Sequence, residues 1–274
     1  MTATPPPTRE PAAAPGVGGR PLIRLEGVGK TYASGTIAVK GVDLVVREHE
    51  FLSLLGPSGC GKSTVLRMVA GLGDVTVGAI EWPRAGHDVT GEPERDLGFV
   101  FQEPTLMPWA TVFDNVYLPL KLQHVSRSKA RDRVREALSL VHLDGFDKAY
   151  PRELSGGMKM RVSIARAMVT RPKVLLMDEP FAALDEITRN KLNNDLLELW
   201  ATQKFTVVFV THSVYESVYL SNRICVMAAR PGRIIEDLAI EAPYPRDDAF
   251  RTSPLYNDYC RRVSESLHRA MGEG

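Results

Sequence analysis

The chain has 274 residues, 44% hydrophobic and 24% charged, with a formal net charge of +1. That length can bury a sizeable core in one large domain or a domain with a subdomain, and the near-neutral charge argues against a dedicated nucleic-acid binder, which carries a basic excess. No run approaches the roughly 20 apolar residues of a membrane-spanning helix, and Cys60, Cys225 and Cys260 form neither a disulfide framework nor a metal signature, so a reducing cytosol is expected.

Residues 1–20 are rich in Pro, Ala and Gly and nearly free of branched or aromatic apolar side chains. Such a segment cannot bury enough surface to offset its ordering entropy, so a disordered tail is expected. It lacks the charged-then-apolar pattern of a secretory signal. A folded domain is expected over 21–242. Val42, Leu44 and Val46 alternate with polar or small residues, the period of a half-buried strand. Phe51–Leu55 is a short strand running into Gly56–Thr64, GPSGCGKST, and Thr64–Leu72 reads as a helix closed near Gly71 and Gly73.

Leu97–Phe101 is strand-like, and the stretch from about 103 to 169 is helix-dominated, read as a helical insertion. Within it, Lys129–Val141 is an amphipathic helix and a second helix runs from Ser155 to Val169. Lys173–Met177 and Thr206–Val210 contain the apolar runs Val174–Met177 and Val207–Val210, as expected of parallel strands covered on both faces. Lys191–Trp200 is helical, and Ile224–Met227 with Arg233–Glu236 forms an antiparallel pair. Residues 243–274 form a C-terminal extension in which Leu255, Tyr259, Val263 and Leu267 mark one amphipathic helix. Alternating strands and helices predict an α/β core with a mostly parallel sheet.

Gly56, Pro57, Ser58, Gly59, Cys60, Gly61, Lys62 and Ser63 fit G-x-x-x-x-G-K-[ST] in a strand, loop, helix context. Glycines let backbone N–H groups turn inward as an anion cradle, and the following helix presents its positive end to the same anion. Lys62 is expected to reach the β- and γ-phosphates of a nucleotide. Ser63 is expected to ligate Mg²⁺, with Thr64 in support. Asp178 and Glu179 directly follow a buried strand, where carboxylates face the ligand crevice of an α/β sheet. Asp178 is expected in the magnesium shell and Glu179 as the group that orients or deprotonates the attacking water. His212 follows the Thr206–Val210 strand at the same sheet edge, and Gln102 follows Leu97–Phe101 with an amide able to bind magnesium through its oxygen. Cys60, inside the phosphate loop, is expected to make nucleotide binding sensitive to thiol reagents.

These motifs together resemble the ATP-binding subunits of ABC transporters, over roughly Leu22–Asp237. LSGGM at Leu154–Met158 resembles their signature, VLLMDEP at Val174–Pro180 their Walker B strand, and AALD at Ala182–Asp185 their D-loop. Gln102 and His212 fall where the Q-loop and switch histidine belong, and Tyr32 where an aromatic stacks on adenine. The resemblance implies ATP and Mg²⁺ as ligands and catalytic roles for Glu179, His212 and Gln102. It implies that Ser155, Gly156, Gly157 and Asp185 act at the nucleotide of a second copy, in a head-to-tail homodimer. Met158, Lys159 and Met160 depart from the Gln that many members carry after the signature glycines.

FQEPTLMPWATVFDNV at Phe101–Val116 and DEPFAALDEITR at Asp178–Arg189 are similar to the nitrate/sulfonate/taurine import group. That implies a separate integral membrane permease, a periplasmic or extracellular solute-binding protein, and a peripheral position on the cytoplasmic face of the inner membrane. In the family the segment after the Q-loop receives the permease, so Leu106, Met107, Pro108 and Trp109 are candidate contacts. The other readings are an ABC ATPase of lipid trafficking or export, and a soluble ABC protein acting on DNA or ribosomes.

Overall fold

The alternation of Val42, Leu44 and Val46 puts all three inside, on strand β2 (Ile37–Arg47). In the computed structural model, which describes residues 19–86 and 93–272, β2 pairs with β1 (Pro21–Thr31), and β1 with β4 (Val77–Glu81). They form a three-stranded antiparallel sheet in the order β2-β1-β4. The tail expected over 1–20 lies outside the described residues as far as residue 18.

The second sheet holds β3 (Phe51–Leu55), β5 (Leu97–Val100), β6 (Val174–Asp178), β7 (Thr206–Thr211), β8 (Arg223–Ala228) and β9 (Arg233–Ala239). Their order is β5-β6-β7-β3-β8-β9, parallel throughout except β9, which runs antiparallel to β8. Every residue of β3, β6 and β7 is buried, which is why these strands are dominated by apolar residues. Phe51 and Leu55 enter one apolar core, and Leu52 and Leu54 enter the other, so the period-two alternation feeds both faces.

Helix α1 (Lys62–Val69) starts directly after the phosphate loop, two residues before the expected Thr64. Between β5 and β6 lie α2 (Val112–Leu122), α3 (Arg127–Leu140), a 3-10 turn at Pro151–Glu153, and α4 (Gly156–Met168). Thr111 caps α2 and Ser155 caps α4, each side chain accepting from a backbone N–H of the first turn. Helix α5 (Glu186–Gln203) begins ahead of the expected Lys191 because the Asp185 carboxylate accepts from Thr188 N and starts it there. After β7 come α6 (Val214–Leu220), then α7 (Asp248–Arg251) and α8 (Pro254–Gly272).

The buried face of α8 differs from the expected stripe. Tyr256, Tyr259, Cys260, Val263, Ser266 and Ala270 face inward, whereas Leu255 is exposed. Each four-residue step on a helix of 3.6 residues per turn drifts by about 40°, so Leu255, two steps from Val263, lies at the margin of the buried face.

Candidate nucleotide site

The parallel register sets the site. Leu55 pairs with Thr211 and Asp178 with Val210, so Gly56, Glu179 and His212 leave three adjacent strands at the same sheet edge. Val100 pairs with Met177, which puts Gln102 two residues past its strand position as Glu179 is two past its own. This is the carboxyl end of the strands, where open α/β sheets hold ligands.

Gly61 caps α1 at φ 90°, and a Cβ there would come within 2.8 Å of Val39 Cγ2 and 2.9 Å of the Ala38 carbonyl oxygen. Only glycine fits this turn from loop into helix. Ser58 and Gly59 form the exposed crest, between Pro57 and the buried Cys60, whose N–H donates to Pro57 O at 3.3 Å. Lys62 is 4% exposed, and its Nζ donates to Gly56 O at 2.8 Å and Pro57 O at 3.1 Å. The Ser63 hydroxyl donates to Asp178 Oδ1 at 2.6 Å. Burial pushes the Asp178 carboxyl above the ordinary carboxylate range, with the Ser63 hydrogen bond pulling the other way.

Glu179 links two strands' worth of chemistry. Its Oε1 lies 3.5 Å from Lys62 Nζ and its Oε2 lies 3.0 Å from His212 Nδ1. Its backbone sits at φ 46°, in the left-handed region that non-glycine residues rarely adopt. That conformation is held by Glu179 N donating to Val210 O at 3.0 Å and Ala182 N donating to Glu179 O at 3.2 Å. The strain is of order 1–3 kcal/mol and is typical of functional positions.

Tyr32 stands one residue past β1 and is 47% exposed, so it is no buried sheet aromatic. Its hydroxyl lies 3.3 Å from Thr64 Oγ1 on α1, which leaves the ring beside the phosphate loop. Gln102 is exposed. Ser155, Gly156, Gly157 and Asp185 form a second cluster. A Cβ on Gly157 would meet Thr188 Cγ2 at 2.7 Å, and one on Gly156 would meet Leu184 Cδ2 at 3.5 Å, so the start of α4 abuts the start of α5. The hydrogen bonds from Thr188 hold the exposed Asp185 carboxyl below its usual range. Among the described residues, no hydrogen bond or ion pair joins this cluster to the chain's own phosphate loop.

A family model described as ABC transporter matches residues 39–182. The chain belongs to the ABC transporter family. It is 46% identical over 248 residues to an uncharacterized ABC transporter ATP-binding protein, MJ0412, of Methanocaldococcus jannaschii, covering 89% of this chain and 91% of that one. It is 44% identical over 242 residues to the aliphatic sulfonates import ATP-binding protein SsuB of Bacillus subtilis, covering 86% and 91%. A dimeric structure of the ATP-binding cassette MJ0796 in a post-hydrolysis state, bound to ADP and Pi, superposes with TM-score 0.70 at 33% identity, covering 81% of this chain and all of that one.

In this ABC cassette the donor set fits a hydrated magnesium ion. Ser63 Oγ and Asp178 Oδ1 are two hard oxygens at contact distance, and no group of three or more His, Cys, Asp or Glu able to cage a metal occurs among the described residues. Magnesium needs only one or two carboxylates when phosphate supplies further oxygens. Cys60 is fully buried in the core and burial raises its thiol, which argues against the expected sensitivity to thiol reagents.

Sequence reasoning did not find Glu216. This residue is 8% exposed, and its Oε2 accepts from Thr211 Oγ1 at 2.7 Å. Thr211 Oγ1 in turn accepts from Ser213 N at 3.0 Å, so both neighbours of His212 are tied down. The one available signal was a Glu three residues after the helix-capping Ser213, the spacing of a capping box.

Proposed function

We propose that the chain is the ATP-hydrolysing subunit of an importer that takes up a small solute of the nitrate, sulfonate or taurine type or a related one. The observation that carries the hydrolytic part of this reading is the Glu179 carboxylate held between Lys62 and His212, beside the Ser63–Asp178 pair. Relatives named for aliphatic sulfonate import, at 41–45% identity, support the solute class.

In this reading the phosphate-loop N–H groups and the α1 N-terminus bind the phosphates, and Lys62 turns its ammonium from Gly56 and Pro57 to the β- and γ-phosphates. Tyr32 stacks on the base. Ser63 and Asp178, with Gln102, hold magnesium, which when bound neutralises charge on the phosphate oxygens. Glu179 accepts the proton of the attacking water. His212 orients that carboxylate and contacts the terminal phosphate. Ser155, Gly156, Gly157 and Asp185 serve the nucleotide of the second copy, so a head-to-tail homodimer completes two sites. The separation of the two clusters within one chain supports that arrangement.

The partners are a membrane permease and, through it, an external solute-binding protein, with the ATPase at the cytoplasmic face of the membrane. No helix among the described residues is long and apolar enough to cross a membrane. A groove of about 850 Å³ lined by Phe101, the residue before Gln102, with Thr105, Leu118, Leu122 and Arg166, supports permease docking there. The test is affinity purification of tagged Glu179→Gln from its own membranes with ATP and magnesium. A polytopic permease in the eluate supports the reading. A soluble eluate of ribosomal or DNA-repair proteins overturns transport and leaves ATP hydrolysis standing.

A further inference from the structure

Helix α6, which begins two residues after His212, is only seven residues long. An isolated helix of this length is not stable on its own, so its position depends on what holds it. Its carboxyl end is held by Arg246 from the C-terminal extension, a segment beyond the matched residues 39–182. Arg246 is 4% exposed. Its Nη1 donates to the carbonyls of Val218, Tyr219 and Ser221, each at 2.9 Å, and its Nη2 to Ala242 O at 3.2 Å. A buried cation at a helix C-terminus satisfies the orphan carbonyls and opposes the negative end of the dipole. The guanidinium also lies 4.1 Å from the Tyr244 ring centroid, and Tyr244 Oη donates to Leu220 O at 2.9 Å. Helix α8 adds a third tie, with Tyr256 Oη donating to Tyr215 O at 3.1 Å in the first turn of α6.

The other end of α6 is the site. Ser213 caps the helix, and Glu216 holds Thr211, so the loop carrying His212 is fixed to α6 from both flanks. We infer that the C-terminal extension is a brace for the switch histidine: Arg246, by gripping the carboxyl end of α6, is a positioning residue that sets the His212–Glu179 contact. Arginine suits this task because its planar fork reaches several carbonyls at once, which a lysine ammonium on a flexible stem does not do in the same geometry.

This inference rests on the hydrolytic roles proposed for Glu179 and His212, and the experiment separates the two. Full-length wild type, Arg246→Met, Arg246→Lys and His212→Ala are compared for ATP hydrolysis, for affinity toward a fluorescent ATP analogue, and for imidazole NMR signals, with His212→Ala assigning the His212 resonance. Arg246→Met is expected to lower kcat at least tenfold, to leave nucleotide affinity within about twofold of wild type, and to shift the His212 resonance. Arg246→Lys restores only part of each effect. A folded Arg246→Met with wild-type kcat and an unmoved His212 signal overturns the brace, as does a parallel loss of affinity and kcat. If His212→Ala hydrolyses ATP like wild type, the proposed role of His212 falls, and the resonance alone decides whether Arg246 positions it. Should Arg246→Met not fold, Tyr256→Phe removes one tie while keeping the ring. It is expected to shift the same resonance with a smaller loss of kcat, and an unmoved signal counts against the brace.

Discussion

His212 Nδ1 lies 3.0 Å from Glu179 Oε2, although 33 residues separate them in the chain. The contact exists because β6 and β7 are neighbours in register, so both side chains emerge at one edge. Replacing Glu179 with Gln keeps a group that can accept from the imidazole and removes the negative charge. Its kcat for ATP hydrolysis is expected to fall by about 10²–10⁴, the range of a positioned general base. Nucleotide affinity should hold, and ATP-dependent dimer should accumulate by size exclusion with light scattering. Hydrolysis at the wild-type rate would remove Glu179 from the chemistry.

Tyr32 offers a half-exposed ring beside the phosphate loop, its hydroxyl near Thr64. Tyr32→Ala is expected to weaken ATP binding by about 1–3 kcal/mol, by analogy with base–aromatic stacking. Tyr32→Phe keeps the ring and should bind within a few fold of wild type. Titration with a fluorescent nucleotide decides it, and an Ala variant as tight as wild type rules out stacking.

Asp178 gives a pH-dependent expectation. Burial raises its carboxyl in the folded protein, so the folded state holds the proton more tightly than the unfolded chain. The stability it contributes is full below the ordinary carboxylate value of about 3.9 and is lost as pH rises through the raised folded value. Asp178→Asn removes that loss. Free of nucleotide and magnesium, the variant should gain Tm over wild type at neutral pH and lose the gain toward pH ~3, by calorimetry. A Tm difference independent of pH would contradict the assignment.

Trp109 is 77% exposed, while its neighbours Leu106 and Met107 are half-buried. An exposed aromatic at such a position is an interaction candidate. Trp109→Ala is expected to reduce recovery of the permease in a membrane pull-down while ATP affinity stays within about twofold. Equal losses in both assays would point to local packing instead.

The apolar runs of β6 and β7, and the short strand β3 leading into the phosphate loop, were legible because full burial on both faces leaves few alternatives for a short apolar segment. Strand β4 was not, since nearly all of it is exposed and its sequence carries no alternation. Helix α2 was missed as a separate element because Pro119 stands inside it and its apolar content hides its period. Asp178, Glu179 and His212 were identifiable from their places at or just after the ends of strands. Their mutual distances were not, because adjacency of β6 and β7 is a property of the sheet order. Arg246 was invisible for a different reason: an arginine reads as a surface residue until the carbonyls that bury it are known.

Strand β3 ends in the phosphate loop, yet both of its sheet neighbours, β7 and β8, lie more than 150 residues further along the chain, the nearest register pair being Phe51 with Val207. During synthesis the loop sequence leaves the ribosome early on a strand whose two edges stay open until residues 206–228 arrive. Unpaired apolar edges of this kind invite pairing with other chains, and such long-range closure is slow. A nascent chain stopped before β7 would carry every residue of the phosphate loop and still lack both strands that flank it in the sheet.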